Sequence, residues 1–140
     1  MIEHARPETL APAVWLTGPV ARRFPEQNWS KGMSIVTGGK VVEDTLPEDM
    51  SLVVQAEDGL VVVTGCGHAG IGNILAQARE MVPGVPVRAV IGGLHLFDAD
   101  EKSLEWTAKE MRKAGVKYLL GAHCTGLEAV YRLRALAGLD

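Results

Sequence analysis

The chain has 140 residues, a length that suits one domain with its own hydrophobic core. Its net charge of −3 argues against broad electrostatic binding to nucleic acid or to an anionic membrane. No apolar run approaches the roughly 20 residues that span a bilayer, and the first residues lack the apolar core of a signal peptide. We therefore expect a cytoplasmic protein that binds neither nucleic acid nor membranes.

Residues 1–50 are the irregular part of the chain, rich in proline, glycine and charge, with short strands. Residues 14–18 are predicted to be a strand that ends in a turn. Residues 19–40 contain two prolines and three glycines without sustained periodicity, which predicts a long excursion over the surface. The acidic stretch 44–49 around Pro47 predicts another loop.

Residues 51–140 carry a regular succession of strands and helices. Residues 52–56 and 60–63 are apolar runs on either side of an Asp-Gly turn, which predicts a β-hairpin. Periodicity and glycine or proline stops predict the rest: helix 69–81, strand 87–91, helix 100–114, strand 117–120 and helix 125–137, the last starting at a capping box formed by Thr125 and Glu128. The order ββαβαβα predicts a single α/β domain over residues 1–140.

Three histidines occupy equivalent places in this pattern. His68, His95 and His123 each follow an apolar strand that ends in glycine, and they are 27 and 28 residues apart. That spacing is typical of one βα unit, and the carboxyl ends of parallel strands meet at one edge of a sheet. Since imidazole is the commonest protein ligand for zinc, the pattern predicts a metal or catalytic site. Structural histidines in the core are the alternative.

Two cysteines and two aspartates lie near these histidines. Cys66 and Cys124 are the only cysteines, and each lies within two residues of a motif histidine. They are either outside candidates for a mixed Cys/His zinc set or small core residues. Asp98 and Asp100 follow His95, and we favour a helix cap over a role in orienting His95.

The glycine-rich segment 65–70 matches G-x-G-x-x-G between a strand and a helix, the pattern of a dinucleotide-binding loop. However, the next strand runs into Gly92 and Gly93 rather than into an acidic residue for a ribose. The favoured interpretation is a tight turn, with Gly67 at positive φ.

Several motifs resemble a known family. Residues 63–71, 91–96 and 121–126 resemble the later motifs of metallo-β-lactamase-fold metal-dependent hydrolases. Residues 14–18 and 48–52 also resemble segments of one branch, the ribofuranosyl-aminobenzene phosphate synthase-like proteins of methanopterin synthesis. The resemblance covers nearly the whole chain in the family's order.

The resemblance implies an αββα sandwich that holds one or two metals, usually zinc, between its halves. His68 corresponds to the histidine that binds the first metal, and His123 to the last histidine, which binds the second. His95 falls where most relatives place a bridging aspartate and where this branch carries histidine. The implied ligands are therefore these three histidines, and the implied cofactor is zinc or another divalent metal.

The chain lacks the family's early H-x-H-x-D-H motif, so it resembles only the C-terminal half of the sandwich, with one mixed sheet and helices on one face. We therefore expect weak or absent metal binding, little hydrolase activity, and a homodimer or a complementary half-domain over the bare sheet face. Whether the chain is an enzyme stays open, and its small-molecule substrate is unspecified. The alternatives are a non-catalytic binding module and, less favoured, a nucleotide-binding protein that uses residues 65–70.

Overall fold

The computed structural model describes residues 4–29 and 31–140, which form eight strands and three α-helices. The strands are β1 (Glu8–Ala11), β2 (Val14–Leu16), β3 (Ser34–Thr37), β4 (Lys40–Glu43), β5 (Ser51–Ala56), β6 (Gly59–Thr64), β7 (Val87–Gly92) and β8 (Tyr118–Gly121). The helices are α1 (Ile71–Met81), α2 (Glu101–Ala114) and α3 (Leu127–Ala137). None of these helices is long and apolar enough to cross a membrane.

Six strands form one mixed sheet in the order β1-β2-β5-β6-β7-β8. Strands β1, β2, β5 and β6 pair antiparallel with their neighbours, because short connections or a returning loop join them. Strands β6, β7 and β8 pair parallel, because α1 and α2 carry the chain back between them. The carboxyl ends of these three strands therefore lie at the same edge of the sheet.

The core lies between this sheet and the three helices. The helix side of the sheet presents fully buried valines such as Val62 and Val90, in register across β6 and β7. They belong to one apolar cluster with Ile74 of α1, Met111 of α2 and Leu133 of α3, all 0% exposed. Burying each such side chain contributes about 1.5–3 kcal/mol to folding.

The opposite side of the sheet carries two continuous rows of apolar side chains. The register aligns Leu16, Leu52, Val63, Ile91 and Leu120 in one row, and Val14, Val54, Val61, Ala89 and Tyr118 in the other. At the β8 end Tyr118 is 47% exposed and Leu120 is 56% exposed. We call this surface the open face. The prediction of one mixed sheet with helices on one side is confirmed.

The end of the predicted excursion and the residues that follow it form a hairpin that periodicity did not reveal. Strands β3 and β4 pair antiparallel around Gly38 and Gly39, which have φ of 58° and 77°. Two consecutive residues with positive φ form the connection that best matches strand twist, and Gly-Gly is a known signal for it. Val36 and Val41 are 70% and 73% exposed, so this hairpin adds nothing to the core.

The predicted capping box at the start of α3 is wrong. Gly126 is the N-cap, and it makes no side-chain cap hydrogen bond. The Thr125 hydroxyl instead accepts a hydrogen bond from the backbone N–H of Leu94 at 3.0 Å. A contact with the loop after β7 thus uses the oxygen that a capping box would need, and Thr125 ends a 3₁₀ turn, His123–Thr125.

Candidate metal centre at the strand ends

The loops that follow β6, β7 and β8 bring His68, His95 and His123 to one edge of the sheet. The ring centroids of His68 and His95 lie 4.5 Å apart. His123 opens the 3₁₀ turn, is exposed, and lies close enough to His95 to influence its protonation. The structure therefore places all three predicted ligands at the same edge of the sheet.

Glycines allow these loops to stack in direct contact. A Cβ atom at Gly67, where φ is 68°, would lie 2.7 Å from the carbonyl oxygen of Gly93. A Cβ at Gly93 would lie 2.5 Å from the carbonyl oxygen of Gly65 and 2.9 Å from Sγ of Cys124. Only glycine fits at these positions, and the predicted positive φ of Gly67 is confirmed.

Among the described residues, Cys66, His123 and Cys124 form a group that could hold one metal ion, with ligand atoms all within 4.8 Å of one another. Sγ of Cys66 lies 3.4 Å from Nδ1 of His123. The Cys124 thiol donates a hydrogen bond to the carbonyl oxygen of Cys66 at 3.4 Å. The two cysteines that the sequence marked only as outside candidates thus share one donor group with His123.

The orientation of His68 is set by a buried asparagine. Nδ1 of His68 lies 2.7 Å from the carbonyl oxygen of Asn28, and since a carbonyl can only accept, Nδ1 carries the proton. The Asn28 side chain donates in turn to the carbonyl oxygen of Leu94 at 3.0 Å. This tautomer leaves the lone pair on Nε2, the arrangement that a metal-binding histidine requires.

The environment of the edge disfavours charge on two of its side chains. The pKa of His95 is lowered, first by burial and then by repulsion from His68 and His123, while Asp98 opposes the shift. The pKa of the Cys66 thiol is raised, first by burial and then by its hydrogen bond with Cys124. His95 therefore favours its neutral form and Cys66 its thiol form.

Two of the three histidines have a strained backbone. His95 and His123 have φ of 46° and 52°, in the left-handed region where a side chain with Cβ costs about 1–2 kcal/mol. Glycine would relieve this strain, yet histidine stands at both positions. Strain of this kind clusters at functional sites, so it supports a role for the imidazoles beyond packing.

Sequence reasoning missed Glu26, which caps α1 from the long excursion. Its carboxylate accepts hydrogen bonds from the backbone N–H groups of Gly72 and Asn73, both at 3.2 Å. Asp49 accepts in the same way from the N–H of Ala69 at 3.1 Å. A dinucleotide pyrophosphate would need such N–H groups, so this geometry argues against the nucleotide-binding alternative. No local pattern links Glu26 to a helix 45 residues later.

The aspartates after His95 have separate roles. Asp100 is the N-cap of α2 and accepts a hydrogen bond from the N–H of Ser103 at 2.8 Å, so the favoured cap is confirmed for Asp100. Asp98 is exposed and raises the pKa of His95 electrostatically.

Beside His95, a surface cleft of about 790 Å³ runs between the segment around Trp29 and the first turns of α2, including Trp106. The cleft offers a ligand access to His95.

Comparisons with known proteins agree with the motifs. No protein-family model matches the chain. It is 34% identical over 126 residues to the 7,8-dihydropterin-6-methyl-4-(beta-D-ribofuranosyl)-aminobenzene-5'-phosphate synthase of Methanocaldococcus jannaschii. The aligned region covers 88% of this chain and 43% of that protein. A crystal structure described as a metal-dependent hydrolase of the β-lactamase superfamily superposes with a TM-score of 0.83 and 30% identity, over 96% of this chain and 51% of the other. The chain thus spans about half the length of these relatives.

Proposed function

We propose that this chain, related in sequence and fold to metallo-β-lactamase-fold hydrolases over about half of their length, is a metal-binding half-domain that associates through its open face. The observation that carries the proposal is the convergence of His68, His95 and His123 at one edge of the sheet. The expected metal is zinc or another divalent cation that binds imidazole and thiolate, because these are the side-chain groups that zinc prefers.

The side chains at the edge suit a metal. Asn28 holds His68 in the tautomer that presents Nε2, and His95 favours the neutral form that a ligand needs. A bound divalent metal would supply a water molecule of lowered pKa as the nucleophile for hydrolysis. The role of this chain's residues is to bind and orient the metal and to admit the substrate from the cleft beside His95.

The open face supports association with a second copy. Its two rows place ten residues with apolar side chains on one surface, and apolar area exposed to water costs about 25 cal/mol per Å². The relatives are about twice as long as this chain, so their folds contain a second part of comparable size. A C₂ dimer, the commonest closed assembly, would cover one open face with another. A complementary half-domain on a different chain is the alternative partner.

We expect low hydrolase activity from this chain, because its sequence lacks the H-x-H-x-D-H motif. A second candidate function is a non-catalytic binding module, which the partly exposed apolar rows of the open face favour. Metal-dependent turnover of a generic phosphodiester or lactam that disappears in His123→Ala would support a hydrolase and contradict the expected low activity.

We propose a cytoplasmic location, since free cysteines are typical of reducing compartments.

Metal analysis of the purified chain, combined with a zinc titration, tests the proposal. We expect weak binding of one zinc ion per chain, and weaker binding still in a variant that combines His68→Ala with His123→Ala. His4→Ala is the matched control, because His4 pairs with Glu8 rather than with the strand-end edge. Identical titrations of the wild type and the double variant would show that the histidines are structural and would favour the binding module.

A further inference from the structure

We propose that the metal at this edge is held by sulfur as well as nitrogen, in a three-ligand site formed by Cys66, His123 and Cys124. The site lies beside the His68–His95 pair rather than within it. This inference rests on the proposed metal-binding function, but it assigns two of the ligand positions to Cys66 and Cys124 in place of His68 and His95. The cation it fits is zinc or another divalent metal that accepts thiolate.

The distances between the donor atoms carry the proposal. The Sγ atoms of both cysteines and a ring nitrogen of His123 lie within 4.8 Å of one another, while His68 and His95 are not part of this group. Tetrahedral zinc with Zn–S bonds of about 2.3 Å holds two sulfur ligands roughly 3.8 Å apart. The donor atoms therefore need to approach one another by at most about 1 Å to enclose an ion. Three protein ligands leave a fourth position for water, as in catalytic zinc sites.

The surrounding backbone holds the three ligands close together. A Cβ at Gly93 would lie 2.9 Å from Sγ of Cys124 and 3.0 Å from Cα of Cys66, so glycine allows both cysteines to approach. Thr125 is fully buried and anchors the adjacent turn by accepting from the N–H of Leu94. Loops from three different strands thus meet here.

Their surroundings distinguish these cysteines from core residues. Cys66 and Cys124 are half-buried, and the neighbouring His123 is exposed, so an ion from solvent can reach all three. A cysteine that only fills space usually lies among apolar side chains, whereas Cys66 faces an imidazole at 3.4 Å. The strained backbone of His123, with φ of 52°, adds a cost that packing does not explain.

Cobalt(II) binding to the full chain, stripped of metal and kept reduced, tests this ligand set. Thiolate bound to cobalt gives a charge-transfer absorption in the near ultraviolet, and because the chain has only two cysteines, any such band must come from Cys66 or Cys124. We expect the band in the wild type, a weaker band in Cys66→Ser and in Cys124→Ser, and none in the double variant. The control His4→Ala should keep it, because His4 pairs with Glu8.

The possible failures are distinguishable. Cobalt bound without a charge-transfer band would show ligation by histidines alone, which overturns this inference and leaves the proposed function standing. No cobalt binding at all would contradict both. A second measurement needs no variant: zinc should slow alkylation of the two thiols by iodoacetamide several-fold in the wild type. Equal alkylation rates with and without zinc would overturn thiolate ligation even if a serine variant failed to fold.

Discussion

At Gly67 the backbone and the adjacent loop both require glycine. Its φ is 68°, and a Cβ would lie 2.7 Å from the carbonyl oxygen of Gly93. We expect Gly67→Val to lower the free energy of unfolding by at least about 1–2 kcal/mol, with or without a ligand. Urea denaturation measures the change. The matched control is Gly65→Val in the same loop, because a Cβ at Gly65 meets no atom within 4 Å.

An unchanged urea midpoint for Gly67→Val would contradict this account of the turn.

The nucleotide-binding alternative makes a different prediction for the wild type and Gly67→Val. It requires a nicotinamide or flavin cofactor to raise the melting temperature of the wild type but not of Gly67→Val. We expect a flat thermal-shift screen, because Glu26 and Asp49 already accept from N–H groups at the start of α1.

Glu26 makes stability depend on pH. Burial raises the pKa of Glu26 from 4.5 to about 7, with repulsion from Glu110 adding to it and the N–H groups of Gly72 and Asn73 opposing it. The folded state therefore binds more protons than the unfolded state between these values. Stability from this group is present at low pH and is lost as pH rises from about 4.5 through about 7.

We expect Glu26→Gln to remove this dependence. Between pH 5.5 and 8 the wild type should lose about 2 kcal/mol of unfolding free energy that the variant does not lose, measured by urea denaturation at both values. His95, whose pKa is lowered, acts in the opposite direction, because its contribution is lost as pH falls. Since both proteins contain His95, their difference isolates Glu26. Parallel pH profiles would contradict the prediction.

At the scale of elements, α1 organises the irregular segment before β3. Oδ1 of Asn73 accepts from the backbone N–H groups of Arg23 and Phe24, at 2.6 and 2.8 Å. Oε1 of Gln77, one turn later, accepts from the N–H of Ala21 at 3.0 Å, and its Nε2 donates to the carbonyl oxygen of Thr17 at 2.7 Å. Two buried amides of one helix thus replace the hydrogen bonds that a strand or helix would give this segment.

We expect Asn73→Leu to destabilise the fold by about 2–3 kcal/mol, because two backbone N–H groups lose their acceptor while the branched shape of the side chain is kept. Hydrogen exchange at Arg23 and Phe24 should accelerate with it. Arg79→Leu is the control on the same helix, since Arg79 is exposed. Unchanged exchange at these two amides would show that the segment does not depend on Asn73.

At the scale of the molecule, the open face is the surface through which we expect two copies of the chain to associate. We expect a dimer in light scattering, and a monomer at the same concentration for Leu120→Lys, because burying a charge in a covered apolar surface is costly. Leu120 is 56% exposed, so this variant should still fold. The control is Leu127→Lys on α3, where the side chain is 79% exposed and away from the sheet. A wild-type monomer at high micromolar concentration would contradict the prediction.

Local patterns were sufficient for most of the architecture. Short continuous apolar runs predicted β5, β6, β7 and β8, and periodicity with glycine or proline stops predicted the bounds of the three helices to within about two residues. These signals are readable because each depends on neighbours along the chain. The equal spacing of the histidines and the family motifs likewise indicated one shared edge, since a βα unit has a nearly constant length.

Contacts between distant residues decided the rest. Tertiary structure alone placed Glu26 at α1, and it gave the Thr125 hydroxyl to Leu94 rather than to a helix cap. It also placed Sγ of Cys66 in contact with the ring of His123, 57 residues away, and the ring of His68 against the ring of His95. One sequence pattern marks all three histidines as equivalent, but only the stacking of the loops on Gly93 determines which donor atoms come within reach of a single ion.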